Sequence, residues 1–147
     1  MNLARLAAGT LFLAATVVGS TAGAAELKLL SVEAFKPALQ ELAPAFESAS
    51  KHKLTIEYGT PEAVEKKVTG DDDYDVVILD KPRIDKLIRA ASVAGGSMKE
   101  VVKHGADTFI AAMPNSAQQA LSAVSLINFL SSPKAVEVYK AKGLQPG

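Results

Sequence analysis

The chain has 147 residues, with sixteen Lys plus Arg against sixteen Asp plus Glu and a formal net charge of zero, so it has no basic footprint for capturing nucleic acid. It has no cysteine and only two histidines, which excludes disulfides, thiolate metal sites, cysteine nucleophiles and lipid anchorage through cysteine. Apolar residues make up 48% and aromatic ones 5%, so aliphatic side chains must fill the core of what length allows as about one domain.

Arg5 is followed by a nearly unbroken apolar run from Leu6 to Val18 and then by the small residues Gly19 to Ala25. That is the layout of a secretory signal peptide over residues 1–25. Cleavage after Ala24 would place Ala22 and Ala24 at the small positions, and cleavage after Ala25 would place Gly23 and Ala25 there. No later stretch approaches the roughly 20 apolar residues of a membrane span, so the processed chain is expected to be non-spanning.

Leu27 to Ser31 reads as a strand, after which Phe35, Leu39, Leu42 and Phe46 recur at helical spacing up to about Ser50. Pro37 suits the first turn of that helix. Pro44, lacking its amide, is expected to kink or split it. Lys53 to Tyr58 alternates as a half-buried strand does, and Thr60-Pro61 starts a short helix to about Val68, with Glu62 and Glu65 near its positive end. After the polar turn Gly70 to Asp73, the unbroken run Val76 to Leu79 predicts a strand covered on both faces. Asp80 caps a third helix, with Pro82 in its first turn and Ile84, Leu87, Ile88 and Ala91 as its buried stripe. Val93 to Ser97 breaks the pattern, and Met98 to Gly105 reads as a short helix or a connector. Thr108 to Met113 is a further strand. Ser116 with Gln119 forms a capping-box pattern ahead of Leu121, Val124, Ile127 and Leu130, and Ser132-Pro133 opens a last helix ending at Gly143. Strands alternating with helices over short connections predict an α/β fold: a single doubly wound, mainly parallel sheet with helices on both faces.

Catalytic patterns are missing from the sequence. It contains no Gly-x-Ser-x-Gly elbow, no His-Glu-x-x-His, no Gly-x-Gly-x-x-Gly and no Walker loop. His52 lies in the charged turn Lys51-His52-Lys53, and His104 lies between Lys103 and Gly105, neither beside a nucleophile motif. Asp71-Asp72-Asp73 lacks the spaced ligands and closing glutamate of a calcium loop. The expectation is a protein that is not an enzyme and holds no metal or cofactor.

One constellation carries binding potential. Two successive strands run into turns that open helices, Ser31 to Phe35 and Gly59-Thr60-Pro61, and such turns line the carboxyl edge where α/β sheets hold ligands. Free amides, a positive helix end and the hydroxyls of Ser31 and Thr60 suit an anion there, while ordinary helix capping accounts for the same residues.

Leu29 to Leu39, Leu42 to Glu47, Tyr58-Gly59-Thr60, Tyr74 to Leu79 and the tail Ala141 to Pro146 together resemble the periplasmic molybdate-binding proteins, substrate-binding components of ABC importers with a two-lobed solute-binding fold. The resemblance implies one lobe over residues 26–147. Its first segment is 26–97, a connector 98–106 stands where relatives carry the second lobe, and 107–147 is the returning segment. It implies a small oxyanion ligand of the molybdate, tungstate or sulfate type, an ABC permease as partner and a periplasmic location. By position, the ligand would meet Ser31, Val32, Glu33, Ala34, Gly59 and Thr60. The family's serine late in the first turn aligns with Ala34, and Glu33 adds negative charge. Both departures weigh against molybdate itself, and a lone lobe implies weak binding. The alternative is an interaction module, self-associating or meeting a permease through exposed apolar residues around Met98, Val101 and Val102.

Overall fold

The computed structural model describes residues 24–147. The signal-peptide expectation for residues 1–25 therefore falls outside the described residues, apart from Ala24 and Ala25.

Strand β1 (Glu26–Val32) passes through a 3-10 turn, Glu33–Phe35, into helix α1 (Lys36–Ser50). β2 (Lys53–Gly59) leads to α2 (Pro61–Val68), and β3 (Val76–Asp80) to α3 (Lys81–Arg89). β4 (Val93–His104) and β5 (Asp107–Pro114) form a hairpin, followed by α4 (Ala120–Leu130), α5 (Pro133–Ala141) and the short β6 (Gln145–Pro146). The strand order is β2-β1-β3-β5-β4-β6.

β1 pairs in parallel with β2 and β3, while β5 runs antiparallel to both β3 and β4, and β6 antiparallel to β4. Strands β1 to β4 thus share one direction and β5 and β6 oppose it, which makes the sheet mainly parallel. Helices cover both faces: α1, α4 and α5 pack together as one layer, and α2 and α3 form the other. Arg83 of α3 bridges to Glu62 and Glu65 of α2, and Lys86 joins Glu65, so the second layer is tied by surface ion pairs. The core is aliphatic with a small aromatic centre: Phe35 meets Phe109 and Tyr139 edge to face at 5.1 and 6.2 Å. β3 is buried along its whole length, as its unbroken apolar run predicts for a central strand.

Several expectations are corrected. α1 runs unbroken through Pro44. Pro44 and Gln40, whose carbonyl loses its partner, both lie on the exposed side, where water replaces the missing bond. Val93 to Ser97 does not break the pattern, and Met98 to Gly105, expected as a short helix or a connector, is not helical. Together they are a long strand and the turn of a hairpin, where Gly105 takes the left-handed φ of 63°. Val101 and Val102 are consequently buried and Met98 partly so, which removes the exposed apolar surface expected there. α4 begins at Ala120 without a side-chain cap from Ser116, and its inward face carries Ala123, Leu126, Ile127 and Leu130. Leu121 is 88% exposed and Val124 44%. Ala91, expected in the stripe of α3, lies beyond its end, exposed and with a φ of 55°.

Candidate functional site

The six residues singled out from the sequence converge on the carboxyl ends of two adjacent strands. Val32 and Gly59 face each other across the last rung of the β1–β2 ladder, and Ser31 faces Tyr58 on the rung before. Beyond the rung, Glu33 and Ala34 are exposed in the 3-10 turn, and Thr60 is exposed as the N-cap of α2.

Their chemistry differs. Val32 caps the first turn without a side-chain hydrogen bond, so that turn presents its amides uncovered by any side chain. Thr60 Oγ1 accepts from the Ala63 amide at 3.2 Å, which leaves the hydroxyl proton free to be donated outward. Pro61, as the first residue of α2, has no amide to offer. Ser31 is fully buried and its hydroxyl donates to the Val32 carbonyl at 3.1 Å, so it braces the turn from beneath.

The strand order adds residues that sequence reasoning missed. The chain steps from β1 outward to β2 and then back past β1 to β3, so the reversal falls between β1 and β3. The turn at Asp80-Lys81 therefore flanks the same edge. Asp80, nearly buried, caps α3 by accepting from the Arg83 amide at 3.4 Å and also binds the Arg83 guanidinium at 2.9 Å. That hydrogen bond, with the charges of Asp80, Glu62 and Glu65, pushes the Arg83 pKa up from its ordinary value. Arg83 is thereby committed to neutralising carboxylates, and Lys81 pairs with Asp85 at 2.9 Å. Lys36 is different: its ammonium lies 5.6 Å from the centroid of the Tyr58 ring, next to the Val32–Gly59 rung, with no carboxylate partner among the described residues. Burial raises the Tyr58 pKa, which keeps that phenol neutral. Nothing in the local pattern around Lys36 announces it, because its aromatic partner lies on another strand.

A separate cleft lies away from this edge. About 280 Å³ in volume, it opens beside Lys28, Thr55, Lys67 and Tyr74, toward the amino end of the sheet. Glu57 closes part of it by accepting from Lys67 and, at 2.7 Å, from the Tyr74 hydroxyl.

One serine and one histidine do approach each other, Ser122 Oγ and His52 Nε2 at 3.4 Å. The Ala25 amide donates to His52 Nδ1 at 3.0 Å, so the neutral ring carries its proton on Nε2 and points it toward Ser122. In that tautomer the ring donates to the serine, the reverse of what a base for a nucleophile requires.

Comparison with known proteins shows the family and the fold. A family model described as bacterial extracellular solute-binding protein matches residues 27–106. An aconitate isomerase from a Pseudomonas species is 32% identical over 101 residues, covering 65% of this chain and 38% of that protein's length. Among solved structures, the substrate-binding domain of a molybdenum ABC transporter protein from Clostridium difficile superposes with a TM-score of 0.77 at 11% identity, covering 84% of this chain and 99% of that one. The periplasmic molybdate-binding protein of Azotobacter vinelandii gives 0.76 at 13% identity, covering 82% and 99%. At such identities the likeness concerns the fold, which is that of a solute-binding α/β lobe.

Proposed function

Since the chain belongs to the bacterial extracellular solute-binding proteins, we propose that it is a non-catalytic binding component of an ABC importer in the periplasm, holding a small anion at the carboxyl edge of its sheet. The observation that carries this reading is the convergence of two helix starts on one rung, Val32–Gly59. One start presents uncapped amides and the other an outward hydroxyl from Thr60. Lys36, over the Tyr58 ring and without a carboxylate partner among the described residues, supplies a positive charge. Affinity is weak in this reading, because the edge is open to water and Glu33 repels an anion, so the charge-assisted bonds are not strengthened by burial. Among the described residues no helix is long and apolar enough to cross a membrane, as a partner of a permease, distinct from the permease, requires.

The ligand class has two lines of support. The solved neighbours bear molybdate or molybdenum in their names, which favours tetrahedral oxyanions. The nearer sequence relative bears aconitate in its name, which favours an organic polycarboxylate. Calorimetric titration of the processed protein with molybdate, tungstate, sulfate and both aconitate isomers tests the reading. Weak heats at millimolar ligand, lost in Thr60→Val, are expected. Micromolar affinity would overturn the weakness, and no heat with any of these anions would overturn the binding role.

A second reading, an interaction module that self-associates, now rests on Leu121 and Val124 of α4 rather than on β4. Light scattering decides it, since a monomer at every concentration removes it.

A further inference from the structure

We propose that the cleft on the α2 side of the sheet, toward the amino ends of β1 and β2, is a second binding site, and that it takes a small zwitterion of the α-amino acid class. Lys28 lies four residues before Val32 on β1, about 13 Å at the rise of a strand, so the cleft is separate from the carboxyl edge. The inference goes beyond the anion reading and does not depend on it.

Strand alternation builds the floor. Lys28 and Thr55 are partners across the β1–β2 ladder, Glu57 lies two residues further on the same face, and Lys67 reaches that face from the last turn of α2. The polar turn before β3 closes the other side with Asp72, Asp73 and Tyr74. Tyr74 is 6% exposed, and its hydroxyl donates to Glu57 Oε2 at 2.7 Å while Lys67 donates to Oε1. Glu57 is thereby neutralised and held as a wall of the cleft.

The charge left free in the cleft is of both signs. Among the described residues Lys28 has no carboxylate partner, and neither Asp72 nor Asp73 has a cationic one. All three are exposed and line one cleft of about 280 Å³, yet no ion pair joins them. Burial first, and then the Asp72 charge, push the Tyr74 pKa up, which keeps the phenol protonated as the donor to Glu57. Thr55 Oγ1 gives its proton to Glu26 at 3.2 Å, so toward the cleft it can only accept.

The free inventory is one ammonium to receive a carboxylate, with two carboxylates and a hydroxyl oxygen to receive an ammonium. A simple anion meets repulsion from the two aspartates, and a simple cation meets it from Lys28. A molecule carrying both charges satisfies all of these groups. Among the described residues no group of three metal-ligating acidic or histidine side chains forms, so a metal ion is not favoured. The volume falls just below the roughly 300 Å³ at which pockets for drug-sized ligands begin, which suits a single amino acid.

Two-dimensional amide NMR of the purified protein tests the site by titration with L-alanine and L-serine, and with acetate and ethylammonium as the separate halves of their charge. Saturable shifts are expected at Lys28, Thr55 and Asp72 to Tyr74 with the amino acids at millimolar concentration. Each half should bind about fivefold more weakly, the factor implied by an exposed charge pair at the upper end of its usual range. Lys28→Gln, and Asp72→Asn combined with Asp73→Asn, alter exposed side chains and should each weaken alanine binding to a similar degree. No shift with either amino acid overturns the site, as do shifts confined to Glu33, Ala34, Gly59 and Thr60. Acetate or ethylammonium binding as tightly as alanine overturns the zwitterion class, and unchanged affinity in both variants overturns the assigned charges.

Discussion

The carboxylate of Asp75 accepts the backbone amide of Gln119 at 2.9 Å, forty-four positions away in the chain. The same oxygen accepts from the Gln118 amide at 3.0 Å, and the other oxygen accepts from the Lys28 amide at 2.9 Å. Asp75 is almost fully buried, and its own amide donates to the Lys28 carbonyl at 2.9 Å. One side chain therefore caps α4 from outside, fastens β1 to β3, and replaces the local capping box that Ser116 and Gln119 suggested.

Asp75→Ala leaves buried amides without an acceptor and is expected to cost about 3 kcal/mol, with Asp75→Asn, which keeps one acceptor oxygen, losing about half as much. Urea unfolding checks this: the midpoint should fall with little change in slope. A loss under about 0.5 kcal/mol for the alanine variant would contradict the capping role.

The two faces of α4 should respond oppositely. Leu126 is 1% exposed, so Leu126→Ala should cost about 2–5 kcal/mol through lost burial and an unfilled cavity. Leu121→Lys on the outer face should stay within about 0.5 kcal/mol. Thermal unfolding of the pair measures the difference, and the reverse order would mean that the helix is rotated.

Tyr139 sets an alkaline limit. Its hydroxyl donates to the Leu130 carbonyl at 2.7 Å in the core, and burial pushes its pKa well above the ordinary 10.0. A group whose folded pKa is raised contributes stability that is complete below its unfolded pKa and declines as pH climbs toward the folded one. Stability should therefore fall above about pH 10. Tyr139→Phe should flatten that decline and cost about 1–2 kcal/mol at neutral pH, because the Leu130 carbonyl loses its donor. Denaturation at stepped pH values tests both parts, and an equally steep decline in the variant would refute the assignment.

Glu33 should oppose ligand. Glu33→Ser removes a charge from the first turn and supplies a hydroxyl, so anion affinity should rise about threefold at low salt and by less as salt increases. Titration at two ionic strengths reads this, and unchanged affinity at both would place the anion away from that turn.

Glu47 guards an open sheet edge. β2 lies at the end of the strand order, and its outward-pointing Leu54 amide is occupied by the Glu47 carboxylate at 2.8 Å. Glu47→Ala frees a donor on an alternating apolar strand, the setting for edge-to-edge pairing. The variant should self-associate more than the parent in sedimentation at high concentration, and identical profiles would remove the protective role.

Local chemistry was legible in the sequence wherever one residue acts on its near neighbours. Thr60, Asp80 and Ser132 cap the helices that begin after them, Pro61, Pro82 and Pro133 open those helices, Gly143 ends the last one with a φ of 77°, and the apolar run Val76 to Leu79 is the buried central strand. That Ser31 to Ala34 and Gly59-Thr60 stand where β1 and β2 run into helix starts was also legible, because strand ends and helix starts have local signatures. Tertiary structure alone decided the rest. Leu121 and Val124 satisfy a helical period as well as Leu126 and Ile127 do, and only the sheet beneath α4 selects which stripe is covered. Val93 to His104 carries two glycines and little alternation, and becomes a strand because β5 and β6 supply partners on both sides. Lys36 meets Tyr58, His52 meets Ala25, and Asp75 meets Gln119 across chain separations that no periodicity records. Such contacts form when non-local strands pair and a side chain finds a backbone donor or aromatic face brought near by the fold, and that proximity exists only once the sheet has closed its order.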